Sequence, residues 1–237
     1  MMTLLAIAQL TYRKSMLDRV FVSLMLAGCV AAAVAFFYPL PGLENYRSSV
    51  FLTGILCDLV GIYLGANLIS GDLQDGSVYY YLTKPLSRDE YLLGKCLGAV
   101  GLVTACFLVF QAGIVALDFM FLRGDHMLKI FTLGGVNISI SFAYLGVAMW
   151  AAVKRLKPRP AFALPFLLYA LSFTVRLIPG SWDAARRIAF YFPGAWRVLD
   201  YPFHISMTEL MGLTAGYAFA LLFWVMASTA LRNREIW

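Results

Sequence analysis

Apolar blocks and short polar breaks alternate along the whole chain. The blocks cover about 20–38, 51–70, 96–120, 130–153, 161–178 and 209–231. Each is near the ~20 residues a helix needs to cross a bilayer. The pattern predicts six transmembrane helices and an all-α polytopic membrane protein, organised as one transmembrane domain over 1–237. No internal repeat or low-complexity tract interrupts it.

Residues 1–19 are only moderately apolar and carry Arg13, Lys14 and Arg19, which predicts an interfacial lead-in helix. The first apolar block contains Leu26-Ala27-Gly28-Cys29, the pattern of a lipoprotein cleavage site, and residues 31–35 mimic a signal-peptidase site. The leading segment is long for a signal sequence and the apolar run continues well past Cys29. An ordinary membrane helix is therefore expected there.

The longest polar break, 71–95, reads GDLQDGSVYYYLTKPLSRDEYLLGK. It holds Asp72, Asp75, Asp89 and Glu90 beside Lys84, Arg88 and Lys95, with Tyr79, Tyr80 and Tyr81 as rings suited to a membrane–water boundary. Ser87 to Glu90 has the form of a capping box, in which serine and glutamate satisfy the free amides at a helix start. Asp89 and Glu90 also suit the positive end of the helix dipole. Pro85 ends what precedes it. The expected sequence of elements is a short surface helix, a break, and a membrane helix starting at about Arg88. Ser206 and Glu209 form a second capping box before the last block.

The break at 180–208 is too long for a plain connector. Ser181 is placed to cap a short helix containing Arg186 and Arg187, and Pro193-Gly194 breaks the segment. Phe190, Tyr191, Phe192, Trp196, Tyr201 and Phe203 supply an aromatic belt. Two short helices in the outer leaflet are expected between the fifth and sixth spans.

Composition agrees with the pattern: 61% of residues are hydrophobic and 14% charged, against about a quarter charged in soluble domains. The net charge of +6 is spread among the apolar blocks, which points to cytoplasmic loops and away from nucleic acid. With the N-terminus inside, Arg13, Lys14, Arg19, Lys84, Arg88, Lys95, Lys154, Arg155, Lys157, Arg159, Arg232 and Arg234 lie inside. Arg47, Arg123, Lys129, Arg176, Arg186, Arg187 and Arg197 lie outside. The bias places both termini in the cytoplasm. Cys29, Cys57, Cys96 and Cys106 fall in or at the ends of apolar blocks without a CxxC pair, so neither a disulfide framework nor a zinc site is indicated.

Inside the second block stands Asp58, in register with Gly54, Gly61 and Gly65 on one helix stripe. An acid at mid-depth costs about 2.5–3.5 kcal/mol on insertion scales, so it must face protein or water. Asp58 reads either as a lumen-facing carboxylate handling a proton or a cationic substrate, or as a structural acid bonded across a packing seam. The third block repeats the seam at Gly94, Gly98, Gly101 and Ala105, with Gln111 further along. The fourth presents Asn137, Ser141, Tyr144 and Ala148 on one face. Such polar stripes serve more often as interhelical glue than as substrate contacts. His126 and His204 lie in different outer loops, so no metal site is expected, even with Asp125 beside His126.

Soluble-enzyme chemistry is absent. Gly94-Lys95 is followed by Cys96 and lacks the glycine five residues earlier, so it is no P-loop; HExxH and GxSxG do not occur.

The 71–95 stretch resembles the loop after the second membrane helix of ABC-2 type transporter permeases. The residues that carry the likeness are Asp72, Gly76-Ser77, Tyr80-Tyr81-Leu82, Pro85-Leu86-Ser87-Arg88 and Leu92-Leu93-Gly94-Lys95. The basic lead-in at Arg13-Lys14-Ser15 and Arg19, and the close at 232–236, look like that family's termini. The family usually has Glu where Asp72 stands and Thr where Ser77 stands. The resemblance implies a permease subunit of an ATP-binding cassette exporter in the bacterial inner membrane. It implies a second permease copy, surrounding lipids and two cytoplasmic ATPase subunits, which would bind the ATP and magnesium; this chain would hold no cofactor. Residues 71–87 would form a cytoplasmic coupling helix, with Asp72, Gly76, Ser77, Tyr80, Leu82, Pro85 and Arg88 on the ATPase-coupling surface. Asp58, Gly61, Gly65, Gln111, Asn137 and Ser141 would then line a translocation path or an interhelical seam. An outer-side accessory protein on 180–208 stays open. The alternatives are a stand-alone proton-coupled secondary transporter centred on Asp58, and a membrane scaffold with no transport path.

Overall fold

The computed structural model describes residues 2–40, 44–76, 87–124, 126–154, 158–174 and 207–233. These form seven helices and, among the described residues, no strand. They are α1 (Met2–Met16), α2 (Arg19–Phe37), α3 (Asn45–Gln74), α4 (Arg88–Leu122), α5 (Met127–Lys154), α6 (Pro158–Thr174) and α7 (Met207–Arg232).

The polar residues at the breaks set where helices begin and end. Asp18 caps α2 by accepting the Val20 amide at 2.9 Å. At the start of α4, Ser87 Oγ accepts from the Glu90 amide at 3.2 Å and the Glu90 carboxylate accepts from the Ser87 amide at 2.9 Å. The capping box expected there is thus formed. The second one begins at Ser206, outside the described residues.

Among the described residues, five helices are long and apolar enough to cross a bilayer: Arg19–Phe37, Asn45–Asp72, Arg88–Leu122, Met127–Lys154 and Thr214–Arg232. The expected fifth span is described as far as Thr174, in α6, and the rest of it lies outside the described residues. α3 has 30 residues and α4 has 35. At about 1.5 Å per residue both exceed a hydrocarbon core of ~30 Å, so each tilts or extends beyond it.

Close approach fixes the packing. A side chain on Gly54 would meet Asn137, one on Gly61 would meet the Ser141 carbonyl, and one on Gly65 would come within 2.7 Å of Ala148 Cβ and the Leu145 carbonyl. These pairs advance together, so α3 and α5 run parallel with backbones nearly touching. On its other side α5 meets α7, with Gly216 against Ser139 and Gly146 against Ala220. Tyr144 and Tyr169 stack edge to face at 5.3 Å where α6 packs on α5. α5 is therefore the central helix. Its run from Ala143 to Met149 is buried throughout. α2 lies along α4, where Gly28 accommodates the Phe110 ring, and Ser49 of α3 donates to the Ala32 carbonyl of α2 at 2.9 Å.

Of the lead-in segment, residues 2–16 form the helix α1. Ile7 and Thr11 of α1 sit in the hollows left by Gly94 and Gly98 of α4. Half of the expected third-block seam is therefore used by α1, while Gly101 faces open space.

Gly65→Val should overpack the α3–α5 contact and cost about 1–3 kcal/mol. Gly101→Val should change stability by less than ~0.5 kcal/mol. The comparison is a thermal melt of the detergent-solubilised protein; equal losses would contradict the packing described.

Candidate functional site

Polar side chains from α1, α3 and α4 converge where α3 ends and α4 begins. Asp72 lies in the last turn of α3, with its side chain 4% exposed. Lys95 reaches it from the second turn of α4, Nζ to Oδ2 at 2.6 Å, and is itself 1% exposed. Tyr91, one turn before Lys95 and so on the same face of α4, donates its hydroxyl to the same oxygen at 2.8 Å. The Lys95 ammonium also stands 5.8 Å from the Tyr91 ring centre. Lys14, at the end of α1 and 60% exposed, approaches Oδ1 at 3.5 Å.

A carboxylate and an ammonium this deeply covered tolerate burial only as a pair with their remaining bonds satisfied. Here the pair ties α3 to α4 across the polar break between them. Gly76, at φ +69, takes the left-handed turn that follows α3 and that favours glycine. Ser77, Tyr80, Leu82 and Pro85 lie outside the described residues.

Arg88 begins α4, and its guanidinium donates to the Leu231 and Arg232 carbonyls at 3.2 and 3.0 Å, at the end of α7. Beside it, Asp89 accepts from Arg232 Nε at 2.8 Å, from Arg232 Nη2, and from the Ser228 hydroxyl at 2.7 Å.

Asp58, Gly61, Gly65, Asn137 and Ser141 come together in the α3–α5 seam. Asp58 is fully buried and accepts the Ser141 hydroxyl at 2.6 Å. Asn137 donates its amide to the Val50 carbonyl at 3.0 Å. Gln111 of α4 packs against Gly134, one turn before Asn137 on the same stripe of α5, with its amide oxygen unbonded among the described residues.

At the opposite end of the bundle a smaller cluster joins three helix ends. Asp118 in the last turn of α4 is buried and pairs with His126 Nδ1 at 3.1 Å. Tyr46 of α3 stacks on the His126 ring at 4.4 Å. Glu44, just before α3, is held below the usual carboxylate range, first by a hydrogen bond from the Tyr46 hydroxyl and then by Arg47. No group of three His, Cys, Asp or Glu side chains is arranged for a metal among the described residues.

Sequence reasoning missed Lys14 and Tyr91 as partners of Asp72, Asp118 as the partner of His126, and Asp89, Ser228 and Arg232 as a group. Tyr91 was findable, because it stands four residues before Lys95 on one helix face. Asp118 and His126 stand eight residues apart across the turn between α4 and α5, and the others depend on contacts between distant elements, for which no local signal exists.

Long apolar helices around a buried polar seam, with charged residues gathered at helix ends, define an integral membrane protein. Residues 3–175 match the family described as ABC-2 family transporter protein, and the chain belongs to that family. No curated protein matches the chain.

Asp72→Asn leaves the Lys95 ammonium buried without its counter-charge, and should destabilise the protein by about 3–5 kcal/mol. Asp72→Leu with Lys95→Met should cost clearly less than the two single changes summed. Chemical denaturation in detergent measures the cycle; strictly additive losses would show that the two groups are not coupled.

Proposed function

We propose that the chain is the permease subunit of an ATP-binding cassette exporter. It would cross the bacterial inner membrane six times with both termini in the cytoplasm. Two cytoplasmic ATPase subunits, which bind ATP and magnesium, would grip residues 71–87. A second permease copy would complete the path, and this chain would hold no nucleotide itself. The observation that carries the reading is the buried Asp72–Lys95 pair, which brackets that segment.

The physical reasoning is mechanical. A force applied to residues 77–86 reaches α3 at Gly76 and α4 at Ser87. The ion pair keeps those two ends from moving separately, so the push tilts α3 and α4 as a unit. α3 in turn carries α5 through the glycine seam. Asp72 on this reading does not touch the ATPase; it anchors the coupling segment from within. The basic bias of the same end supports its cytoplasmic placement, and export follows from the likeness of the 71–95 motif to exporting permeases.

A proton-coupled transporter centred on Asp58 is the other reading. Full burial and the Ser141 hydrogen bond favour a structural acid in the seam over a carboxylate open to a pathway. An outer-side accessory protein on 180–208 would be an addition to either mechanism.

Affinity purification of the tagged chain from native membranes should bring down a Walker-motif ATPase. Tyr80→Ala or Leu82→Ala should lower the complex's ATPase activity several-fold while leaving permease abundance nearly unchanged. Asp58→Asn should leave the complex assembled. Movement of solutes by the chain alone in liposomes under a proton gradient, abolished by Asp58→Asn, would instead establish the second reading.

A further inference from the structure

α7 runs parallel to α5 for most of its length, and its last turn reaches the start of α4. There Ala227 and Leu231 join the same buried cluster as Tyr91 and Leu92. Around that contact the two helix ends supply each other's needs. The Arg88 guanidinium bonds the Leu231 and Arg232 carbonyls, which are among those a helix leaves unpaired at its C-terminus. Asp89, in the first turn of α4, accepts from Arg232 at both carboxylate oxygens and from the Ser228 hydroxyl at Oδ1. Positive charge thus meets the negative end of α7, and negative charge the positive end of α4.

The two ionic joints at this end differ in kind. The Asp72–Lys95 pair is sealed, at 4% and 1% exposure, whereas Asp89 and Arg232 are 36% and 63% exposed. Exposed pairs contribute little net stability and exchange readily with water, so this joint can open without unfolding either helix. Arg88 and Asp89 are also the first residues of α4, directly beyond the 77–86 segment.

We infer that Arg88 and Asp89 are positioning residues that clip the last turn of α7 to the head of α4, making α7 a third helix driven from the coupling segment. The inference rests on the permease reading above. A push on the segment moves the head of α4, and with it the clipped end of α7. α7 then shifts against α5 along the Ser139–Gly216 and Gly146–Ala220 contacts. The core helix is thereby reached from two sides, through α3 and through α7.

The test is hydrogen exchange on the complex purified with its ATPase, with and without magnesium ATP and vanadate. In the unmodified complex, nucleotide should change amide exchange in residues 226–233 and in 88–95, each by about two-fold or more. Asp89→Ala or Arg232→Ala should abolish the change in 226–233 and leave the one in 88–95. The conservative change Arg232→Lys, which keeps the charge at the end of α7, should retain it, and unaltered protection of 100–110 should show that the bundle is intact. A nucleotide response in 226–233 that persists in the alanine variants, or is lost in Arg232→Lys with 100–110 still protected, overturns the clip and leaves the permease reading standing. If the unmodified chain brings down no ATPase, the permease reading fails and the clip's driving role fails with it.

Discussion

Everything else in the bundle is arranged around the close approach of α3 and α5. In hydrocarbon, apolar side chains gain little by meeting one another, because lipid tails are as apolar as leucine. What holds two helices together is short backbone separation and the hydrogen bonds that separation permits. Gly54, Gly61 and Gly65 remove the side chains that would keep α5 away, and the Asp58–Ser141 and Asn137–Val50 bonds form across the gap. α6 and α7 then pack on the remaining faces of α5, and α2 covers α3 and α4.

Charge follows a different logic from the apolar interior. The polar residues of α1, α3, α4 and α7 gather at one end, in two joints of contrasting strength. The first is a sealed ion pair whose rupture would strand a charge. The second is a wetter set of bonds that can be broken and remade. On the proposed permease reading the first joint would carry force and the second would let the end move. The opposite end has its own knot at Asp118, His126 and Tyr46, which ties the starts of α3 and α5 to the end of α4.

The helix starts were legible wherever a local hydrogen bond decides them, as at Ser87 and Glu90. The Gly54-Asp58-Gly61-Gly65 stripe was legible for a similar reason: helical spacing alone puts those residues on one face. Spacing did not say which helix the stripe meets, nor that the Gly94–Gly98 stripe is taken by α1 and not by another span. Arg88 was expected on the coupling surface, and it lies beneath the end of α7, because a guanidinium at a helix start satisfies whichever carbonyls arrive beside it. Gln111 was grouped with Asn137 and Ser141, and it packs on Gly134 of the same α5 stripe, because helical phase fixes which residues share a face.

Sequence by itself determined that the chain is helical and membrane-embedded, where its polar breaks fall, and which residues share each helix face. These follow from hydropathy over ~20-residue windows, from capping and from the helical period, all of which act within a few turns. Only the tertiary structure decided that Asp72 finds Lys95, that Asp58 finds Ser141 and that Asp89 finds Arg232. Those partners stand tens to more than a hundred positions apart, and a polar group in a low-dielectric surrounding takes its partner from whatever packing brings within hydrogen-bond reach.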